Sequence, residues 1–204
     1  MAAEKKSTAK PPRTKVSMGK DSLVNSIEIA LQGLAFWISY RQVLYHRHSL
    51  NEGALAAEFV NLLDAKLDKN FQTLCEQPYD KPGGLRMDVE IRRKNPDERK
   101  AAIEIKRILA GTNSINNDIK RLLKIKENNV LCFLVVVSEK ELPKEYVNEN
   151  GEASEKILFH DNGFSAKVIR VLKSTQSFRW KNEKGKEIPP KANYCCLIEI
   201  SKSA

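Results

Sequence analysis

The apolar positions change period twice along the chain. From Asp21 onward, Leu23, Ile27, Ala30, Leu31, Leu34, Ile38 and Leu44 recur at three- and four-residue steps. That spacing is the stripe of a long helix ending near His46, with Asp21 or Ser22 as its N-cap. Ser49-Leu50-Asn51-Glu52 reads as a capping box that opens a second helix over about Leu50 to Lys69. Pro78, Asp80, Pro82, Gly83 and Gly84 crowd the stretch from Gln77 to Gly84 and predict a turn there. The period then becomes two: Leu85, Met87, Val89 and Ile91 alternate with Arg86, Asp88, Glu90 and Arg92, the mark of a strand with one buried face.

Lys94 to Glu98 has hairpin chemistry, and Ala101 to Leu109 is the returning strand, so an antiparallel pair is expected. Ile115, Ile119, Leu122 and Leu123 define one face of a third helix over Ser114 to Asn128. Val130 to Val137 is apolar throughout, which predicts a central strand buried on both faces of a sheet. Glu139 to Lys156 is polar and reads as a short helix or an excursion. Further strands are expected at Ala166 to Leu172 and Tyr194 to Ile200. This order predicts an α/β domain, a mixed central sheet flanked by helices, over residues 21–204 with a helical N-terminal part.

Composition changes the picture in three places. The longest apolar run has eight residues, far below the roughly 20 of a membrane-spanning helix. No apolar stretch follows the basic N-terminus, so a cytoplasmic protein without membrane association is expected. Cys75, Cys132, Cys195 and Cys196 show no C-x-x-C spacing and are expected to be small core residues. The formal charge of +9 is uneven: Lys5, Lys6, Lys10, Arg13, Lys15 and Lys20 against Glu4 give residues 1–20 a net of +5. That segment is expected to be a flexible basic tail able to touch polyanions, or simply a solvated terminus.

Acid-x-Lys occurs five times, at Glu4/Lys6, Asp64/Lys66, Glu98/Lys100, Glu104/Lys106 and Asp118/Lys120, so the tripeptide alone is uninformative. Only Glu104-Ile105-Lys106 lies in an apolar strand, where both charged groups leave the same face about 7 Å apart. Folding the hairpin brings Asp88, on the polar face of the preceding strand, towards Glu104. Two carboxylates suit a hard divalent cation that keeps waters and an open position for phosphate. A lysine beside them can orient water or bond a phosphate oxygen.

Asp88, fifteen intervening residues and Glu104-Ile105-Lys106 resemble the motif of the PD-(D/E)XK nuclease superfamily, the restriction-endonuclease-like fold. Met87 stands where that motif has proline. The resemblance covers about Leu50 to Ser138 and implies an αβββαβ-type core, although only two strands are readable before the third helix. It implies a metal-dependent endonuclease: Asp88 and Glu104 holding Mg²⁺ or Mn²⁺, Lys106 positioning the attacking water, and DNA as the commoner substrate, often cut by a homodimer. Glu58 matches the carboxylate that many members add from the helix before the motif, and Glu52 is the weaker candidate because the capping box occupies it. Lys120, Arg121 and Lys124 of the third helix are the expected contacts to the nucleic-acid backbone.

Other readings stay open on sequence alone. Asp88 and Glu104 could be surface carboxylates paired with Arg86, Arg92 or Lys106 across an antiparallel sheet. The chain could also be a nucleic-acid-binding or protein-interaction module without turnover, with Phe36, Trp37 and Tyr40 turned partly outward. His46-Arg47-His48 matches no metal-ligand spacing, and Trp37, Tyr40 and Tyr45 read as packing residues. Trp180, between Arg179 and Lys181, is a better base-stacking candidate. Phosphate-binding, dinucleotide-binding and α/β-hydrolase motifs are absent.

Overall fold

The computed structural model describes residues 19–44, 50–79, 84–108, 115–125, 127, 129–139, 141–161, 163–175, 180–181, 184–188 and 192–202. The basic segment before Gly19 and the His46-Arg47-His48 cluster lie outside them, as do Tyr45 and the side chain of Trp180.

The chain forms an α/β fold around a seven-stranded mixed sheet. Its elements are α1 (Lys20–Leu44), α2 (Glu52–Asp64), β1 (Phe71–Pro78), β2 (Arg86–Arg93), β3 (Glu98–Ile108), α3 (Asn116–Leu122), β4 (Leu131–Ser138), β5 (Ile157–Asp161), β6 (Phe164–Thr175) and β9 (Ala192–Lys202). A two-stranded ribbon, β7 (Trp180–Lys181) and β8 (Glu187–Ile188), lies between β6 and β9 in the chain. The sheet order is β1-β2-β3-β4-β9-β6-β5, parallel at β3–β4 and antiparallel elsewhere.

Strand β4 shows why its sequence lacks polar alternation. Phe133, Val135 and Val137 pack into the core that α1 and α2 complete with Leu31, Ile38, Phe59 and Leu63. Leu134 and Val136 pack into a second core with Ile119 and Leu122 of α3 and with Tyr146 and Val147. The neighbouring strand divides its cysteines likewise: Cys195 joins the first core and Cys196 the second. Cys75, by contrast, is exposed, and Cys132 is half-buried.

The structure departs from the sequence expectations at several points. Gln77 and Pro78 belong to a third strand before α3, not to the turn. Strand β1 escaped the period-two reading because it is an edge strand with a mixed burial pattern, interrupted where Glu76 takes a left-handed φ of 54°. With β1 counted, α2-β1-β2-β3-α3-β4 runs αβββαβ.

Helix α2 is shorter than expected and is capped by Asn51, whose Oδ1 accepts the Ala54 N–H at 2.7 Å. Helix α3 stops at Leu122 because the following amides tighten: the Lys124 N–H bonds the Arg121 carbonyl and the Ile125 N–H the Leu122 carbonyl, each three residues back. Residues 141–156 form turns and a Val147–Ala153 bridge, with Gly151 at φ +83° after Asn150 and no helix. Tyr40 and Phe36 of α1 are mostly exposed, so Tyr40 is not a packing residue. No helix among the described residues is long and apolar enough to cross a membrane.

The expected cap, Ser49, lies outside the described residues, and the role of Asn51 is testable because its side chain supplies the acceptor. Asn51→Ala should destabilise the protein by about 1 kcal/mol in chemical denaturation. An unchanged midpoint would return the capping role to another residue.

Candidate active site

The hairpin turn at residues 94–97 returns β3 against β2, a bulge between Ile91 and Arg92 shifts the pairing by one residue to set Val89 opposite Ile103, and that shifted register carried one residue further puts Asp88 opposite Glu104. Even-numbered positions of β3 turn towards α3, so Glu104 leaves the sheet on the side of the second core. Glu104 is buried, with only 4% of its surface exposed, which contradicts a solvent-facing pair of sheet carboxylates. Its Oε1 accepts the hydroxyl of Tyr79, and its Oε2 lies 3.6 Å from the Arg121 guanidinium. Arg121 also pairs with buried Asp118 one turn earlier on α3.

Asp88 is half-buried, and its Oδ2 accepts the Ile105 N–H at 2.6 Å. It forms no ion pair among the described residues. Arg92, a sequence candidate for pairing with it, is held instead by Glu90 at 2.5 Å and Asp97 at 3.1 Å.

Lys106 reaches across the end of the sheet: its Nζ lies 3.2 Å from Glu52 Oε1, which also accepts the Arg107 N–H at 3.1 Å. Glu52 is therefore engaged with β3. Glu58 lies about 9 Å further along the axis of α2. It has no hydrogen bond or ion pair with Asp88, Glu104 or Lys106 among the described residues. The helix carboxylate that meets the candidate site is thus Glu52, at the start of α2.

A cleft of about 670 Å³ opens beside these groups, lined by Leu85, Lys106, Asn117, Asp118, Lys120, Arg121 and Lys124. All three cations expected to touch a nucleic-acid backbone therefore share one cavity with Lys106. Arg121 has its Nε buried without a hydrogen-bond partner among the described residues. Tyr79 and Asp118 were not read from the sequence, and Glu52 ranks there below Glu58. Tyr79 sits at the edge of the Pro/Gly-rich turn, and Asp118 looked like one of five equivalent acid-x-Lys matches.

The electrostatics single out Glu104. Its pKa is pushed up to about 8, chiefly by burial and also by Asp88 and Asp118, against the Tyr79 hydrogen bond and Arg121, which lower it. Asp88 is also raised, chiefly by burial, with the Ile105 N–H and a hydrogen bond from Glu104 opposing. The Tyr79 phenol is pushed up by burial and by Glu104, so it stays protonated as a donor. Two carboxyls side by side thus carry less than their full charge unless a cation joins them.

The donor set fits a hard cation of the Mg²⁺ class. Among the described residues no three His, Cys, Asp or Glu side chains converge into a cage. Two carboxylates suit Mg²⁺, which is bound by one or two carboxylates together with waters and phosphate, better than a site that needs four protein ligands.

The raised Glu104 pKa predicts the sign of a pH effect in the cation-free protein. The unfolded chain releases this proton near 4.5 and the folded chain near 8, so the stabilisation present below pH 4.5 is lost as pH rises through 8. The slope is at most about 1.4 kcal/mol per pH unit. Denaturation midpoints between those limits should fall for the wild type and stay flatter for Glu104→Gln; parallel curves would mean that Glu104 titrates normally.

No protein-family model matches the chain, and neither does any curated protein or solved structure.

Proposed function

We propose that the protein is a metal-dependent phosphodiesterase, an endonuclease acting on nucleic acid, with DNA the expected substrate. The observation that carries this reading is the convergence of Asp88 and buried Glu104 beside a cleft lined by Lys106, Lys120, Arg121 and Lys124. A carboxylate pair without matching cations is a poor stabiliser of a fold but a ready site for a divalent ion. The acid-x-Lys pair six residues earlier in the same strand supplies an internal contrast. Glu98 and Lys100 bond each other at 2.7 Å, whereas Lys106 leaves Glu104 and pairs with Glu52.

In this reading Asp88 and Glu104 hold Mg²⁺ or Mn²⁺, with Tyr79 and Arg121 fixing the Glu104 carboxyl. When bound, such an ion lowers the pKa of a coordinated water and offsets charge on the phosphoryl oxygens. Lys106 is anchored by Glu52 at the mouth of the cleft, within reach of a phosphate oxygen or the attacking water. Lys120 and Lys124 are exposed and supply charge to the backbone of the substrate. Hydrolysis adds water at phosphorus and breaks one P–O bond to the sugar. The arrangement suits the PD-(D/E)XK superfamily, and the αβββαβ order of α2 to β4 supports that assignment.

A binding module without turnover is the second reading. The basic cleft alone satisfies it, and metal dependence separates the two. Glu104→Gln and Lys106→Ala should each abolish Mg²⁺- or Mn²⁺-dependent cleavage of plasmid or single-stranded substrates, while both variants unfold cooperatively and still bind substrate in chelator. Full cleavage by either variant would refute the site; no cleavage by the wild type with any divalent ion would favour the binding module.

The two carboxylates of α2 give a second test. Glu52→Gln should lower cleavage at saturating substrate by about 10-fold or more, as expected when the group orienting a catalytic residue is removed. Glu58→Gln should leave it nearly unchanged. The reverse ranking would restore Glu58 as the helix carboxylate of the site.

A further inference from the structure

The sheet face that carries Glu104 holds a second buried acid, whose partners lead back to it. Glu90 is completely buried, and its oxygens take Arg92 Nε at 2.5 Å and Arg99 Nε at 2.9 Å. The Arg99 side chain is only 8% exposed. Its remaining nitrogens donate to the Pro78 carbonyl at 3.2 Å, the Tyr79 carbonyl at 3.3 Å and Glu127 at 2.6 Å. From the other side, the Tyr79 N–H donates to the Leu85 carbonyl at 3.2 Å. The ring is 5% exposed and belongs to the second core with Met87 and Ala102. Backbone and ring of Tyr79 are therefore both fixed, and its hydroxyl ends on Glu104 Oε1.

We propose that Tyr79 is a positioning residue for Glu104, and that Arg99, seated on Glu90, is the clamp that fixes Tyr79. The proposal rests on the reading of Asp88 and Glu104 as cation ligands. A glutamate has three side-chain torsions to order, and a ligand that is still free must lose that freedom when the cation arrives. Here the Tyr79 hydroxyl on one oxygen and Arg121 near the other order the carboxyl beside Asp88 during folding. The cost is then part of folding and not of binding. The two buried acids of the hairpin have different tasks: Glu90 holds the clamp, and Glu104 is what the clamp presents.

The test is Mn²⁺ binding to the full-length protein by titration calorimetry, alongside cleavage as a function of Mn²⁺ concentration. Tyr79→Phe keeps the buried ring and removes only the donor. It should weaken Mn²⁺ binding about 10- to 100-fold, the range seen when a group that orients a metal ligand is lost. The Mn²⁺ concentration for half-maximal cleavage should rise in step, while cleavage at saturating Mn²⁺ and substrate binding in chelator stay close to wild type. Arg99→Lys keeps a charge on Glu90 but lacks the planar fork that reaches both carbonyls, so it should shift Mn²⁺ affinity in the same direction by less. Wild-type Mn²⁺ affinity in Tyr79→Phe, with loss of binding in Glu104→Gln, would overturn the positioning role and leave the cation reading intact. Wild-type affinity in Glu104→Gln would overturn both. If Tyr79→Phe fails to unfold cooperatively, Arg99→Lys decides the matter: unchanged affinity there overturns the clamp.

Discussion

The side chain of Glu104 lies inside the layer between the sheet and α3, where an ionised carboxylate is stable only if charge and hydrogen bonds answer it. Much of the surrounding architecture consists of answers to that demand. Tyr79 comes from the end of β1, Arg121 from α3 and Asp88 from the neighbouring strand, so three separate segments meet on one side chain. Glu90, fourteen residues earlier, shows what complete compensation looks like: each of its oxygens faces an arginine Nε within 3 Å. Glu104 has a neutral phenol and one guanidinium 3.6 Å away, which it shares with Asp118. One acid on this face is neutralised by its own chain, and the other is only partly compensated.

Topology explains why the cations of the cleft gather here. Strands β3 and β4 are the parallel pair of the sheet, so the chain must cross over between them, and α3 is that crossover. Strand β3 delivers Glu104 and Lys106 near its C-terminal end, and the helix that follows brings Asp118, Lys120 and Arg121 alongside. Ligand sites of α/β sheets favour this end of parallel strands for the same reason: connecting segments leave a crevice there that is already lined with side chains. The shortness of α3 has a consequence too. Its two buried apolar residues, Ile119 and Leu122, hold it on the sheet, while Lys120 and Lys124 remain exposed.

Local rules carried the sequence reading far in this chain. Alternation along β2 and β3 and the hairpin chemistry of Lys94 to Glu98 were enough to bring Asp88 near Glu104, but the register was not legible, because a bulge between Ile91 and Arg92 shifts the pairing by one residue from that at the turn. The apolar run of β4 was equally legible as a strand with two buried faces. Edge strand β1 was not, since half-exposed positions carry no periodic signal, and Tyr79 was lost with it. Helix α2 was seen, but which of its carboxylates meets β3 depends on how the helix lies over the sheet. Glu58 stood beside the apolar stripe of α2, whereas Glu52 stood at the end that crosses the tip of β3. The two-residue step from Glu104 to Lys106 and the approach of Asp88 to Glu104 across the hairpin were readable, and the contacts that depend on how helices lie on the sheet, Arg121 on Glu104 and Glu52 on Lys106, were not.

The same end of β3 is also tied to the far side of the molecule. Arg107 donates from Nε to Glu139 at 2.7 Å, and the other Glu139 oxygen accepts from Gln42 of α1 at 2.9 Å. Gln42 and Asn193 of β9 exchange amide hydrogen bonds at 3.0 and 3.1 Å, and Asn193 also donates to Ser39. These amides are buried, so each bond lost would strand a polar group without water, which makes the set hold together or fail together. Its members come from α1, β9, β3 and the end of β4, and its last link, the Arg107 N–H on Glu52, touches the partner of Lys106. Lys106 is therefore not a lysine at a loose strand end. It stands where the hairpin, α2 and this buried polar chain meet, and a side chain with four rotatable bonds needs that support to keep its ammonium group at one place in the cleft.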